Sequence, residues 1–339
     1  MSIGGSVLIT GAGGFIGSAV TRRLVHWVGE GAVLWDGKPL GTICAVLRPG
    51  SSDWRLEEVR QSPVLSVERA ELTEVEELRG VLQRARPQAI LHLAFDPSGF
   101  EPQSDDEWRI RHLQPIELML EELSRTDESR FVHTGSAWVL ASGSKLAEDA
   151  AVAPTLDYAK AKAKLDEALG PLSERFRVPF VNLRLFNVFG RYEDGRRLLP
   201  HLVNQWRQGL AAHLTHGDQI RDFNDVDDVA DAFRLALLAP PSACGAVYHI
   251  GSGRGTSVRQ FAAIAAKGMG VSGEIEFNST ETLDRHIPAL VSDPDRAIKE
   301  LGWHPRDNLE VRIRDAVKWW LARPSEREED AARAASGEK

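Results

Sequence analysis

Short apolar runs along the chain alternate with longer stretches in which apolar residues recur every three or four positions. The first run, residues 7–10, breaks into Gly11-Ala12-Gly13-Gly14-Phe15-Ile16-Gly17, and a helical pattern over 18–28 follows. Further strand-like runs occupy 43–47, 64–67, 89–94, 131–134 and 180–185. Helical stretches such as 74–84, 108–125 and 158–169 separate most of them, the last stopped by Gly170-Pro171. Strand and helix in alternation predict an α/β fold, a doubly wound parallel sheet with both faces covered. Past about residue 190 the pattern mixes short strands, helices and loops rich in Asp, Arg and His. A sheet domain is therefore expected over 1–185, with a smaller interleaved C-terminal lobe over 186–323 that returns segments to the sheet. The last stretch, 324–339, is mostly Glu, Arg, Ala and Ser, and is expected to be a flexible tail.

Composition narrows the classes. The 339 residues include 2 Cys and carry a formal net charge of -8. Two cysteines exclude a disulfide scaffold or a cysteine-rich metal centre. Cys44 in a strand and Cys244 in a loop read as inert, and the histidines show no metal-ligand spacing, so no metal is expected. The acidic balance argues against nucleic acid as a partner, because phosphate contacts need a basic face. It leaves room for a small anionic ligand held by a local arginine cluster. No apolar run is long enough to span a membrane. The first ten residues lack a basic leader segment, so a cytoplasmic location is expected.

The glycine loop brings in chemistry. Without side chains at Gly11, Gly14 and Gly17, backbone can approach a pyrophosphate seated on the positive end of the next helix. The strand before the loop and the helix after it supply the context that a dinucleotide site needs. The residue after the second strand then separates the two nicotinamide cofactors, an acid for ribose hydroxyls or an arginine for the extra phosphate. Two candidates exist. Asp36 stands 25 residues after Gly11, whereas Arg48 follows the stronger strand 43–47. Taking 43–47 as the sheet strand makes Asp36-Gly37 a hairpin tip. NADPH is then favoured, and NAD(H) stays open.

Tyr158 and Lys162 are four apart, which puts them on one helix face. An ammonium beside a phenol stabilises the phenolate and is expected to lower the tyrosine pKa. Such a pair can move a proton at a carbonyl or alcohol oxygen. The lysine can also hold the nicotinamide ribose. The strand over 131–134 runs into Gly135-Ser136, setting the Ser136 hydroxyl at the edge of the sheet where ligands bind in such folds. There it can donate to the reacting oxygen as charge develops. His92, closing a strand, reads as a packing or backbone-bonding residue. Trp319-Trp320 reads as a helix docking on the core.

With these pieces in chain order, the sequence resembles the extended short-chain dehydrogenases/reductases of the nucleotide-sugar epimerase/dehydratase family. The matching segments are the glycine loop, His92-Leu93-Ala94, Ser136, Tyr158/Lys162, residues 184–190, residues 217–223, Gly251-Ser252-Gly253 and residues 301–305. The resemblance spans about 7–321 and implies a Rossmann sheet domain, a nucleotide-sugar substrate and a homodimer built on the helices near 108–125 and 158–169. It implies that Glu71, Leu72, Leu93 and Ala94 join the loop residues Phe15 and Ile16 at the cofactor. It also implies diphosphate contacts from Asn187, Arg221 and Arg285, and a base pocket at Arg197 and Leu198. An ion pair with a neighbouring Asp is the plain structural alternative for Arg221.

The chain departs from the family's pattern in ways that narrow the reaction. Dehydratases of the family carry an Asp-Glu pair next to the serine, where this chain has Ala137 and Trp138. Water elimination then lacks its acid and base. Leu140-Ala141 replaces Tyr-Gly, Glu71 replaces Asp, and His112 and His249 stand where Asn is usual. With Arg48 favouring an exchangeable NADPH, the expected activity is reduction of an NDP-4-keto-6-deoxysugar at C4. An epimerase that retains NAD, a non-catalytic dinucleotide sensor and a reductase of simpler ketones are the alternatives.

Overall fold

The computed structural model describes residues 5–95, 104–277, 287–306 and 308–323. Arg285 and the tail over 324–339 lie outside these residues. The first half runs through β1 (Gly5–Thr10), α1 (Phe15–Gly29), β2 (Leu40–Leu47), β3 (Leu65–Arg69), α2 (Val75–Ala85) and β4 (Ala89–His92). A helical rod follows, made of α3 (Asp105–Trp108), a π turn (Arg109–Leu113) and α4 (Gln114–Leu123). Next come β5 (Arg130–Ser136), β6 (Gly143–Leu146), α5 (Asp157–Phe176) and β7 (Phe180–Leu185). The second half comprises β8 (Asn187–Phe189), α6 (Leu198–Arg207), β9 (Ala212–Leu214), β10 (Ile220–Asp225), α7 (Val226–Leu238) and β11 (Ala246–Ile250). It ends with β12 (Gly255–Ser257), α8 (Val258–Met269), β13 (Ile275–Phe277), β14 (Ala289–Ser292) and α9 (Leu309–Leu321).

Seven strands form one parallel sheet in the order β3-β2-β1-β4-β5-β7-β11. This is the doubly wound α/β arrangement that the alternating pattern predicts. Its central strands are apolar on both faces, with Val7, Leu8, Ile9, Ile90 and Leu91 fully buried between two helical layers. α7 packs with α1 on one face through Val229, Phe233 and Leu24, while α4 and α5 cover the other through Met119, Leu165 and Leu169. The last strand of the sheet, β11, comes from the second half and pairs with β7. In exchange, β6 leaves the first half to pair with β14 in a smaller sheet ordered β12-β10-β14-β6, with β8 against β10.

Three local expectations change. Strand 89–94 ends at His92, because Leu93 and Ala94 turn away to donate to Thr10, at 3.2 Å to its carbonyl and 3.3 Å to its hydroxyl. Gly170-Pro171 does not stop the helix begun at Asp157, which runs on to Phe176. Proline there removes one backbone donor, but Leu169 and Leu172 keep the apolar stripe buried, and the left-handed Arg177 (φ 56°) ends the helix instead. The core strand starts earlier than residue 43, at Leu40. Asp36 lies in the turn before it, where Lys38 N and Gln88 Nε2 donate to its carboxylate at 3.1 and 2.6 Å. That turn precedes the strand end paired with Gly5, so Asp36 sits at the opposite edge of the sheet from the glycine loop.

Candidate active site

The C-terminal ends of β1, β2 and β4 open onto a cleft of about 350 Å³. Gly11, Gly14, Arg48, Glu71, Leu72, Leu93 and Ala94, all singled out from sequence, line it. Gly11 has φ +69°, and a side chain there would press on Ala94 N at 2.7 Å. A side chain at Gly17 would collide with the Gly11 carbonyl oxygen. Gly14 caps α1 without any side-chain hydrogen bond, and no acidic residue occupies the first turn. The helix N-terminus therefore keeps its donors and positive end for an anion, and these residues fit a dinucleotide. Phe15 and Ile16 are half-buried and pack against the main core. Arg48 is half-exposed at the mouth, with Nε 3.6 Å from a Glu71 carboxylate oxygen.

The catalytic candidates meet beside this cleft. β5 ends on Ser136, and the first turn of α5 carries Tyr158, whose hydroxyl shares a hydrogen bond with Ser136. One turn on, Lys162 is 3% exposed and its Nζ donates to the Thr134 carbonyl at 2.8 Å. Burial lowers the Lys162 ammonium to about 8 against the support of Asp166. Asp166 is itself engaged by Arg184 at 2.9 Å and Asn182 at 2.8 Å, which fixes this side of the helix. The expectation that Lys162 lowers the Tyr158 pKa is corrected. Burial raises the phenol above its ordinary value, and the counteracting influences are Ser136 and the Arg197 charge. Removal from water outweighs both, and Tyr158 is held protonated at neutral pH.

Behind the trio lies a larger pocket of about 610 Å³ between β8, α6 and β10. It gathers Asn187, Arg197, Leu198 and Arg221 in one place. Arg221 is 2% exposed, donates from Nη1 to the Ile220 carbonyl at 2.8 Å, and holds its guanidinium 5.5 Å from the Trp138 ring centroid. Its neighbour Asp222 is occupied elsewhere, accepting from Ser252 N, Ser252 Oγ, Gly253 N, Ser292 N and Ser292 Oγ at 2.6–3.1 Å. Asn187 Oδ1, Gln219 Oε1 and His201 Nε2 are buried at this pocket with no hydrogen-bond partner, as a polar ligand site requires. Sequence reasoning missed Gln219, His201 and the buried Glu193, whose carboxyl burial pushes up to about 8. Each lies in or beside a segment already marked as ligand-binding, which was the available signal.

The remaining expectations are structural. His92 bonds the Thr10 hydroxyl at 2.8 Å rather than backbone, and burial pushes the Cys44 thiol up to about 11. Trp320 Nε1 donates to the Gly190 carbonyl at 3.1 Å, docking α9 beside the pocket. Among the described residues no three His, Cys, Asp or Glu are grouped to hold a metal ion, and no helix is long and apolar enough to cross a membrane.

A family model described as the NAD dependent epimerase/dehydratase family matches residues 7–251. The chain belongs to this family. The family member UDP-glucose 4-epimerase of Mycolicibacterium smegmatis is 28% identical over 326 residues, covering 92% of this chain and 97% of that protein. The dTDP-glucose 4,6-dehydratase of Shigella flexneri is 24% identical over 357 residues, covering 93% and 92%. The same fold is seen in the Bacillus cereus UDP-glucuronic acid 4-epimerase solved with UDP-glucuronic acid and NAD. That likeness has TM-score 0.80 and 20% identity, covering 93% of this chain and 99% of that one. After its serine this chain carries Ala137 and Trp138, the latter with its ring 5.5 Å from the Arg221 guanidinium.

Proposed function

We propose that the protein is an NAD(P)H-dependent reductase of a nucleoside-diphosphate 4-keto-6-deoxysugar. The observation that carries this reading is a serine–tyrosine pair, its phenol held protonated, between a dinucleotide cleft and an arginine-bearing pocket that has no acid-base pair beside the serine. When bound, the cofactor supplies a hydride to the C4 carbonyl carbon. Tyr158 gives its proton to the resulting C4 oxygen, and Ser136 donates a hydrogen bond to that oxygen as its charge grows. Lys162 steadies the ribose and the tyrosine. Arg221 and Asn187 take the diphosphate, with guanidinium suited to phosphate oxygens. The test is oxidation of NADPH or NADH by the full chain, with and without a nucleoside-diphosphate 4-keto-6-deoxyhexose. Formation of the C4 alcohol supports the reading.

A retained-NAD epimerase is the second reading, favoured by the Glu71 carboxylate 3.6 Å from Arg48. A negative charge there opposes a cofactor phosphate and leaves the ribose hydroxyls as the better ligand. NAD liberated on denaturing the purified protein, together with interconversion of C4 epimers, would replace the reductase reading. On the reductase reading, by contrast, Arg48 outweighs Glu71, NADPH is expected to be preferred, and Arg48→Glu to shift the NADPH/NADH ratio of kcat/KM towards NADH by about tenfold or more. A wild type that prefers NADH removes the role given to Arg48.

Arg221→Ala is expected to raise KM for the nucleotide sugar about tenfold or more, the scale of one charge-assisted hydrogen bond, with kcat less affected. An unchanged KM would return Arg221 to a structural role. The proposal includes a homodimer through the α3–α4 rod and α5, and a cytoplasmic setting. A purely monomeric mass by light scattering argues against the dimer.

A further inference from the structure

One side chain in the dinucleotide cleft has no part in the chemistry above. Phe95 follows the Leu93-Ala94 turn, is half-buried, and lines the cleft. Its ring centroid lies 4.3 Å from Lys162 Nζ. It meets the Tyr158 ring edge-on at 5.2 Å and 82°, and stacks on the His112 ring at 4.5 Å and 12°. The ring therefore touches both members of the Tyr–Lys pair.

The arrangement bears on how a dinucleotide is held. Lys162 has three N–H donors. One is committed to the Thr134 carbonyl at 2.8 Å, and the cation faces the Phe95 ring. A desolvated cation over an aromatic face is a favourable contact. Ribose hydroxyls seeking Lys162 meet a charge already engaged by Thr134 and by the Phe95 ring, which lines the same cleft. A ribose contact would have to share the Lys162 charge with Phe95 and Thr134.

We infer that Phe95 competes with the cofactor ribose for Lys162, and so sets how tightly the nicotinamide half of the cofactor is retained. The inference rests on the reading of the cleft as a nicotinamide-dinucleotide site. It gives that reading a physical basis for turnover with an exchangeable cofactor. Phe95 acts here through Lys162 and is a positioning residue. Its effect is on affinity and release, with Tyr158 and Ser136 left in place.

The experiment titrates NADPH and NADH into the full chain, freed of bound nucleotide, by nicotinamide fluorescence, with release rates from displacement. Phe95→Ala is expected to tighten the cofactor about tenfold, the scale of one desolvated cation–π contact, mostly through slower release. Phe95→Leu keeps apolar bulk without the π face and should fall between the two, and it guards against a misfolded alanine variant. In a Lys162→Met background the same Phe95→Ala change should alter affinity less than about twofold, because the competed-for charge is gone. Equal or weaker binding by Phe95→Ala, or equal tightening in both backgrounds, overturns the inference. The outcomes separate from the catalytic reading. A chain that reduces the keto-sugar but shows no Phe95 effect sinks only the inference. One that shows the expected order of affinities but turns over no keto-sugar sinks only the reductase reading. No binding of either nucleotide to any variant sinks both.

Discussion

Tyr158→Phe is expected to leave cofactor affinity unchanged and to lower turnover on a keto-sugar by a factor of about 100 to 10,000, the usual range for losing a positioned proton donor. The change removes one oxygen and keeps the ring that packs against Phe95. Burial raises the phenol pKa, so the proton to be donated is present throughout the neutral range. In the reducing direction that is the useful state. The partner group sets the alkaline limb. Lys162 is lowered to about 8 by burial, so its charged form predominates below that pH and is lost above it. Turnover governed by the charged lysine therefore falls as pH rises through about 8. A Tyr158→Phe enzyme with near wild-type kcat would refute the assignment, and an unchanged rate to pH 10 would remove Lys162's charge from the mechanism.

The largest stability effect is expected at Asp222. Its carboxylate is fully buried and accepts six hydrogen bonds, one from Asn224 Nδ2 at 3.3 Å and five that tie β10 to the loop at Ser252-Gly253 and to β14. Asp222→Ala takes the acceptor from Ser252 N, Ser292 N and the Ser252 and Ser292 hydroxyls, while Gly253 N keeps Ser292 Oγ at 3.1 Å. Each stranded donor is costly, so the variant should lose roughly 3–5 kcal/mol. Asp222→Asn keeps one acceptor oxygen in nearly the same volume and should lose less. Urea unfolding midpoints at constant m-value measure the difference. A loss below about 1 kcal/mol for the alanine variant would show that water or local movement satisfies these donors.

The sequence was most legible where one local rule acts alone. Val7-Leu8-Ile9 reads as a covered strand, and Gly11 and Gly17 mark close approaches where a β-carbon is excluded, with Gly14 tight against the Gly11 carbonyl. The choice of 43–47 as the sheet strand, with Asp36 in a turn before it, was also readable, because strand strength decides which segment enters the sheet. Tertiary competition was harder to see. Gly170-Pro171 looks like a stop, yet the buried stripe of Leu169 and Leu172 carries the helix past it. Spacing puts Lys162 beside Tyr158, but only coordinates reveal that Thr134 and Phe95 engage its ammonium. Asp222 is one of the acids beside Arg221 in sequence, yet its carboxylate is taken up by Ser252, Gly253 and Ser292. Phe95 gave no signal, since a phenylalanine after an apolar turn is indistinguishable from core.

The pairing of β11 with β7 bears on how the protein is made. Synthesis delivers β1 to β7 first, so the growing sheet ends in a bare strand until residues 246–250 emerge and cover it. β6 likewise waits for residues 289–292 before it has a neighbour. Unpaired edges of this kind recruit other chains. Until β11 and β14 arrive, those edges of the nascent protein are open to other copies of the chain. Termination at Leu185 would make the exposure permanent, and the shortened product would be an aggregate rather than a working nucleotide-binding module.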